Sequence, residues 1–267
     1  MLWSKKQTGN AVKAHWEALY AANAQDFNKI LDERLSWSQW ERNSSPDSAA
    51  EVELSTGIKI LLGSDDTALA RRYLELSVEM ADRIDSEDRL RTSIEFPRNR
   101  GRVSRTRAYA QTLLGQPWTT HLLLSASKDY EEHCRRNYEN LEDWHSQVQY
   151  YYLNAVHLAL LGDDVKRADQ LLDSPPYPLN YQKEHAGVLK GLVRFIRGEL
   201  SGQEVAKFVA EFESYFDRLR DPRIKQPGNS FRESFMCPVE LGLLREKYIR
   251  HPGGATSWHR VIEDYAR

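Results

Sequence analysis

Apolar residues return at three- and four-residue spacings through almost the whole chain, and strict alternation over more than four residues is nearly absent. That period lays side chains along one stripe of a helix and leaves little room for strands. The spacing predicts helices near 11–22, 25–42, 46–62, 65–85, 102–114, 117–138, 143–161, 163–173, 180–197 and 201–219. Boundary chemistry agrees. Ser45-Pro46-Asp47 offers a cap, a proline at the first helical position and an acidic first turn, and Gly63 ends the helix that follows. Ser201 and Glu204 form a capping box, in which hydroxyl and carboxylate satisfy two otherwise orphaned backbone donors. Cys237-Pro238 is expected to start a short helix, and Thr256 or Ser257 the last. The fold class read from this pattern is all-α.

Four places share one design, an apolar helix end running into glycine and then into capping residues. They are Leu61-Leu62-Gly63-Ser64-Asp65, Leu113-Leu114-Gly115-Gln116-Pro117, Leu160-Leu161-Gly162-Asp163-Asp164 and Ile196-Arg197-Gly198-Glu199. The expectation is that each glycine takes the left-handed conformation that closes one helix, while Asp, Ser or Pro opens the next. Connections this short make the joined helices antiparallel neighbours. The glycines lie 52, 47 and 36 residues apart, too irregular for a strict 34-residue tetratricopeptide array but compatible with a stack of helical hairpins. The expected organisation is a single all-helical domain over 1–267. It comprises N-terminal helices over 1–45, an irregular, α-solenoid-like hairpin stack over 46–220, and a loop with C-terminal helices over 221–267. Ser174-Pro175-Pro176-Tyr177-Pro178 reads as a stiff connector, and Asp221 to Met236 is the longest span that does not read as helical throughout.

Composition narrows the classes. At 267 residues with 40% hydrophobic and 28% charged positions, the chain can bury a core without disulfides or metals, and disorder is excluded. Lys plus Arg total 37 against 39 Asp plus Glu, so the global basic footprint of a nucleic-acid binder is missing and no nucleic acid is expected as partner. Cys134 and Cys237 are far apart and suit a reducing compartment. Neither a secretory leader nor a run of ~20 apolar residues is seen, so a cytoplasmic location without membrane contact is expected.

Candidate chemistry is sparse. His121, His133, His145 and His157 are spaced by twelve residues, but twelve residues of helix leave successive side chains ~120° apart, so the spacing does not gather them into a metal site. Glu142 to His145 is the only Glu-x-x-His match, where a di-iron bundle needs two. No nucleotide cradle or nucleophile elbow occurs, and no cofactor is expected. The cations beside Cys134 could lower its pKa, yet neighbours in sequence do not face each other on a helix, so a buried inert thiol is the better reading. Tyr150-Tyr151-Tyr152 cannot all face one core. The sharpest charge feature is Arg98, Arg100, Arg102, Arg105 and Arg107, five arginines in ten residues without an acid among them. They could meet an acidic partner, or pair internally with Asp82, Asp85, Glu87, Asp88 and Glu95 upstream. Within Asp221 to Met236, Arg223, Lys225, Phe231, Arg232 and Phe235 mix charge with aromatic anchors, as interface centres do.

The junctions Leu61-Leu62-Gly63, Leu113-Leu114-Gly115 and Leu160-Leu161-Gly162-Asp163-Asp164, in an all-helical chain without catalytic motifs, resemble those of the all-helical immunity proteins of bacterial polymorphic toxin systems. They are also similar to tetratricopeptide-like proteins. The first resemblance implies a protein that is not an enzyme and neutralises one cognate toxin by binding it, and with no secretory leader seen the toxin is then expected to act in the cytoplasm. The candidate contact residues are then the two groups above. The second implies a scaffold or regulator with a peptide groove. A third reading is an all-helical enzyme with a site near His133, Cys134 and His145.

Overall fold

A computed structural model describes residues 5–35, 46–86, 97–117, 119–137, 145–221, 231–252, 258 and 260–262. Within these, the side chains of 5–9, 33–35, 46–47, 85, 137, 145–147, 181 and 231–235 are not described. Among the described residues no strand occurs, and the fold is all-α as the periodicity predicts. The helices are α1 (Lys5–Leu35), α2 (Pro46–Gly63), α3 (Thr67–Ser86), α4 (Pro97–Leu113), α5 (Thr120–Asn137), α6 (His145–Leu161), α7 (Val165–Asp173), α8 (Lys183–Ile196), α9 (Gly202–Arg220) and α10 (Phe231–Leu244). A 3-10 turn, Asn180–Gln182, leads into α8, and a π-helical turn, Arg245–Arg250, follows α10.

Four helical hairpins, α2/α3, α4/α5, α6/α7 and α8/α9, stack side by side, and α1 lies along the first of them. The pairing is tightest at the N-terminal end and loosest in α8/α9. All four glycine junctions are hairpin turns, but they close in different ways. Gly115 and Gly198 take the left-handed conformation, with φ of +85° and +69°. At the third junction Asp163 takes it instead, at φ +64°, and the next residue, Asp164, caps α7 by accepting the Arg167 N–H at 2.9 Å. Gly63 is there for close approach rather than conformation: a β-carbon would collide with the carbonyl of Trp16 on α1. The capping box at Ser201 is formed, with its N–H donating to the Glu204 carboxylate at 2.8 Å.

Two helix assignments change. The expected pair 11–22 and 25–42 is one helix of 31 residues, Lys5–Leu35. The joint Ala21-Ala22-Asn23-Ala24 is alanine-rich, and Asn23 donates from its side chain to the Leu19 carbonyl at 2.7 Å instead of breaking the helix. At the other end, α10 begins at Phe231 and carries Pro238 in its interior, so Cys237-Pro238 is not a helix start and part of the span expected to be irregular is helical. Thr256 and Ser257 lie outside the described residues.

Parts of two helices are buried on all sides, which explains why those stretches of sequence lack a polar face. Residues 148–162 of α6 and its turn are buried without exception. Its three consecutive tyrosines therefore reach three different neighbours. Tyr151 stacks on Tyr130 of α5 with centroids 5.7 Å apart, Tyr152 donates to the Leu171 carbonyl of α7 at 2.8 Å, and Tyr150 turns toward Cys237 and Glu240 of α10. Residues 236–246 of α10 and its π-helical extension are likewise all buried. Tyr248 and Lys247 of that extension donate to the Leu160 and Leu161 carbonyls at the end of α6 at 2.6 and 2.9 Å, the Leu160 oxygen also accepting from the Asp163 N–H at 3.1 Å.

Candidate functional site

The five arginines sit on α4, whose one helical face collects Arg98, Arg102 and Arg105 at i, i+4 and i+7. Arg100 pairs with Asp129 and Glu132 of α5 at 3.0 and 3.1 Å. Arg102 holds Glu51 of α2 at 3.1 Å and donates to Ser48 at 2.7 Å. Arg105, 4% exposed, bridges Glu51 and Glu240, the latter at 3.5 Å. Arg107 meets Asp82 at 3.1 Å and the Ala81 carbonyl at 2.8 Å. Arg98 lies 5.9 Å from the Tyr151 ring centroid. The cluster is thus engaged inside the protein, mostly by acids that sequence reading did not nominate. Of the upstream acids only Asp82 is seen to serve; Glu87, Asp88 and Glu95 lie outside the described residues, as does the Asp85 side chain. Charge reversal at Arg102 or Arg105 therefore probes folding as well as recognition.

Arg223 and Lys225 lie outside the described residues. Phe231, Arg232 and Phe235 fall on the first turns of α10, with side chains outside the description.

The four evenly spaced histidines scatter as helical geometry requires. His121 is exposed, and the His145 side chain is not described. His133 is partly buried, edge-on to Tyr151 at 5.7 Å, and burial together with Arg98 and Arg102 pulls its pKa down to about 4. Cys134 is fully buried with its thiol on the Val148 carbonyl at 3.4 Å, and desolvation pushes its pKa up to about 12. The Arg135 beside it does not offset that.

His157 belongs to a different constellation, one that sequence reading missed. Along α10, Cys237 and Glu240 face α4, α6 and α8 together. Three donors converge on Glu240: the Tyr109 hydroxyl on Oε1 at 3.0 Å, Arg105 on the same oxygen at 3.5 Å, and His157 Nδ1 with Oε2 at 3.0 Å. His157 Nε2 lies 2.8 Å from His185 Nε2, and His185 Nδ1 lies 3.8 Å from Cys237 Sγ. Because Glu240 accepts throughout, the order of protons follows. His157 donates from Nδ1 and accepts at Nε2; His185 donates from Nε2 and presents Nδ1 as acceptor to the Cys237 thiol. Burial and the neighbouring His157 ring hold the His185 pKa well below the ordinary histidine value, and burial raises the Cys237 thiol well above its own. Chemically this line can pass a proton between a thiol and a carboxylate. His157 and Glu240 are wholly buried, and His185 and Cys237 nearly so, which keeps the line from touching a substrate in this conformation. An acid inside the apolar run Cys237-Pro238-Val239-Glu240-Leu241-Gly242-Leu243-Leu244 was the available signal, since a buried carboxylate requires buried donors.

On the surface, α8 and α9 flank a groove of 710 Å³ with Gly187, Gly191, Phe208 and Tyr215 among its lining and Glu184, Lys207, Glu211 and Arg218 around them. Among the described residues no group of three His, Cys, Asp or Glu is placed to hold a metal ion, and no helix is long and apolar enough to cross a membrane. No family model, curated protein or solved structure matches this chain.

Proposed function

We propose that this chain is an immunity protein that binds and neutralises one cognate bacterial toxin acting in the cytoplasm, working by contact rather than by catalysis. The observation that carries the reading is the position of α10. It touches the first helices of three successive hairpins, α4 through Tyr109 and Arg105, α6 through His157 and α8 through His185, and packs on α9 as well. In a hairpin stack that face is where an extended peptide would be held. Here the chain's own helix fills it, with 236–246 buried throughout, which favours a pre-formed rigid body over an open tetratricopeptide-like groove. A rigid surface loses little entropy on binding, the property that tight neutralisation of a single partner needs. With α4 engaged internally, Arg100, its side chain 38% exposed, is the candidate contact residue there that the structure leaves accessible; Arg223, Lys225, Phe231, Arg232 and Phe235 stay candidates on their sequence alone. The enzyme reading near His133, Cys134 and His145 gains less support, because burial keeps the Cys134 thiol un-ionised and makes His133 a weak base. Growth rescue tests the proposal: the chain, co-expressed with the toxin encoded by the adjacent reading frame, restores growth, while a non-cognate toxin of the same class is not suppressed. Failure to protect against the adjacent toxin rejects it.

A further inference from the structure

The line Cys237, His185, His157, Glu240 is a buried polar feature that ties α10 to α6 and α8, and none of its residues is among the contact residues proposed above. The groups facing the two imidazoles come from every neighbouring element. They are Arg105 and Tyr109 on α4 with Glu51 of α2 behind Arg105, Tyr150 on α6, Tyr215 on α9 with its ring 5.5 Å from His185, and Cys237 and Glu240 on α10. The two arginine-facing carboxylates, Glu51 and Glu240, are matched in number by Arg102 and Arg105. At 2.8 Å the two Nε2 atoms have room for one proton between them. A second would set two N–H groups against each other in a site closed to water.

We propose that the His157–His185 pair is an acid-release latch for α10: with one proton shared between the facing nitrogens the helix stays seated on α4, α6 and α8, and when both rings are fully protonated it leaves that face. The opened state lets each ring take its proton in water, where a histidine titrates near 6.5. The seated state excludes at least one of the two. Below pH ~6.5 each further pH unit then weakens seating about tenfold per excluded proton, or about 100-fold between pH 6.5 and 4.5. The depressed pKa of His185 agrees in sign, since seating is complete above 6.5 and is lost as pH falls through it. Release would uncover the parts of α4, α6, α8 and α9 that α10 covers, a change of surface far larger than two protons would otherwise cause.

Hydrogen–deuterium exchange on the full-length chain, corrected for intrinsic rates, tests the latch. Between pH 7 and pH 4.5 the amides of 239–244 should lose about 100-fold more protection than those of the α2/α3 hairpin. In His185→Gln the pH dependence in α10 should flatten. Should that variant not fold, nitrogen-detected spectra of the parent decide. The appearance of a second N–H on both rings should coincide with loss of α10 protection. Loss of α2/α3 protection in step with α10, two doubly protonated rings beneath a still-protected α10, or an unchanged pH dependence in a folded His185→Gln would each overturn the proposal.

Discussion

Glu240 on α10 and His157 on α6 meet Oε2 to Nδ1 at 3.0 Å although 83 residues separate them in sequence, and both side chains are wholly buried. A carboxylate in such a place is tolerable only because Tyr109 and Arg105 donate to its other oxygen. Breaking the arrangement from the acid side leaves Arg105 and His157 without their shared acceptor. Glu240→Ala should destabilise the fold by about 3–5 kcal/mol, read from urea unfolding. A cost below 1 kcal/mol would mean that the seam contributes little to holding α10.

Glu240→Gln should behave differently. The amide oxygen can still accept from Tyr109 and Arg105, and the amide nitrogen can donate to His157 Nδ1. The proton order then reverses, so that His157 carries its hydrogen on Nε2 and His185 on Nδ1. Nitrogen-detected histidine spectra should show both tautomers switched in a folded protein. Unswitched tautomers would contradict the proton order given above.

Both cysteines are buried and both thiols are held above their ordinary pKa by desolvation, Cys134 up to about 12. At pH 8 a thiol-exchange reagent should leave the native protein unmodified for many minutes and titrate two thiols once guanidinium unfolds it. Rapid native reaction at Cys237 would place the seam in contact with solvent.

Glycine positions separate space from conformation. Gly63→Ala should cost about 1–3 kcal/mol, because the new methyl meets the Trp16 backbone. Gly187→Ala sits mid-helix in α8 with nothing within 4 Å of the added carbon, and should stabilise by about 0.5–1 kcal/mol. Thermal or urea midpoints on the two variants suffice. Equal effects at both sites would argue against the way α1 is seated on α2.

Acid should weaken the fold through His133 as well. Its pKa is lowered to about 4, so its contribution is complete above the unfolded value near 6.5 and is lost as pH falls from there toward 4. The His133 imidazole signals should show no titration above pH 5 in the native state. A native midpoint near 6.5 would contradict its burial against Arg98 and Arg102.

Local chemistry made most of the fold legible. Helix starts at Pro46 and Ser201 and the four hairpin turns depend on residues a few positions apart, so they can be read without knowing what packs where. The helices expected over 11–22 and 25–42 join into α1 because the alanines around Asn23 and its bond to Leu19 keep the helix running. The start of α10 was hidden for the opposite reason, since Pro238 resembles a helix opening and sits instead in a helix interior supported by burial on every side. The seam left almost no trace. Its contacts join residues 28, 52, 83 and 131 positions apart, and no spacing rule couples Tyr109, His157, His185 and Glu240 before the hairpins are stacked. The arginine cluster was visible as charge, but which acids meet it is set by the approach of α2, α3, α5 and α10.

The central claim, neutralisation by direct contact, is tested most directly by calorimetric titration of the purified chain with a catalytically inactive form of the adjacent-frame toxin. The account expects a saturable complex that is weakened by charge reversal at Arg100 without loss of the native circular dichroism spectrum. Protection of cells in the absence of any measurable binding heat or co-purifying complex would contradict it, and would point to an enzymatic antidote or a repair activity instead.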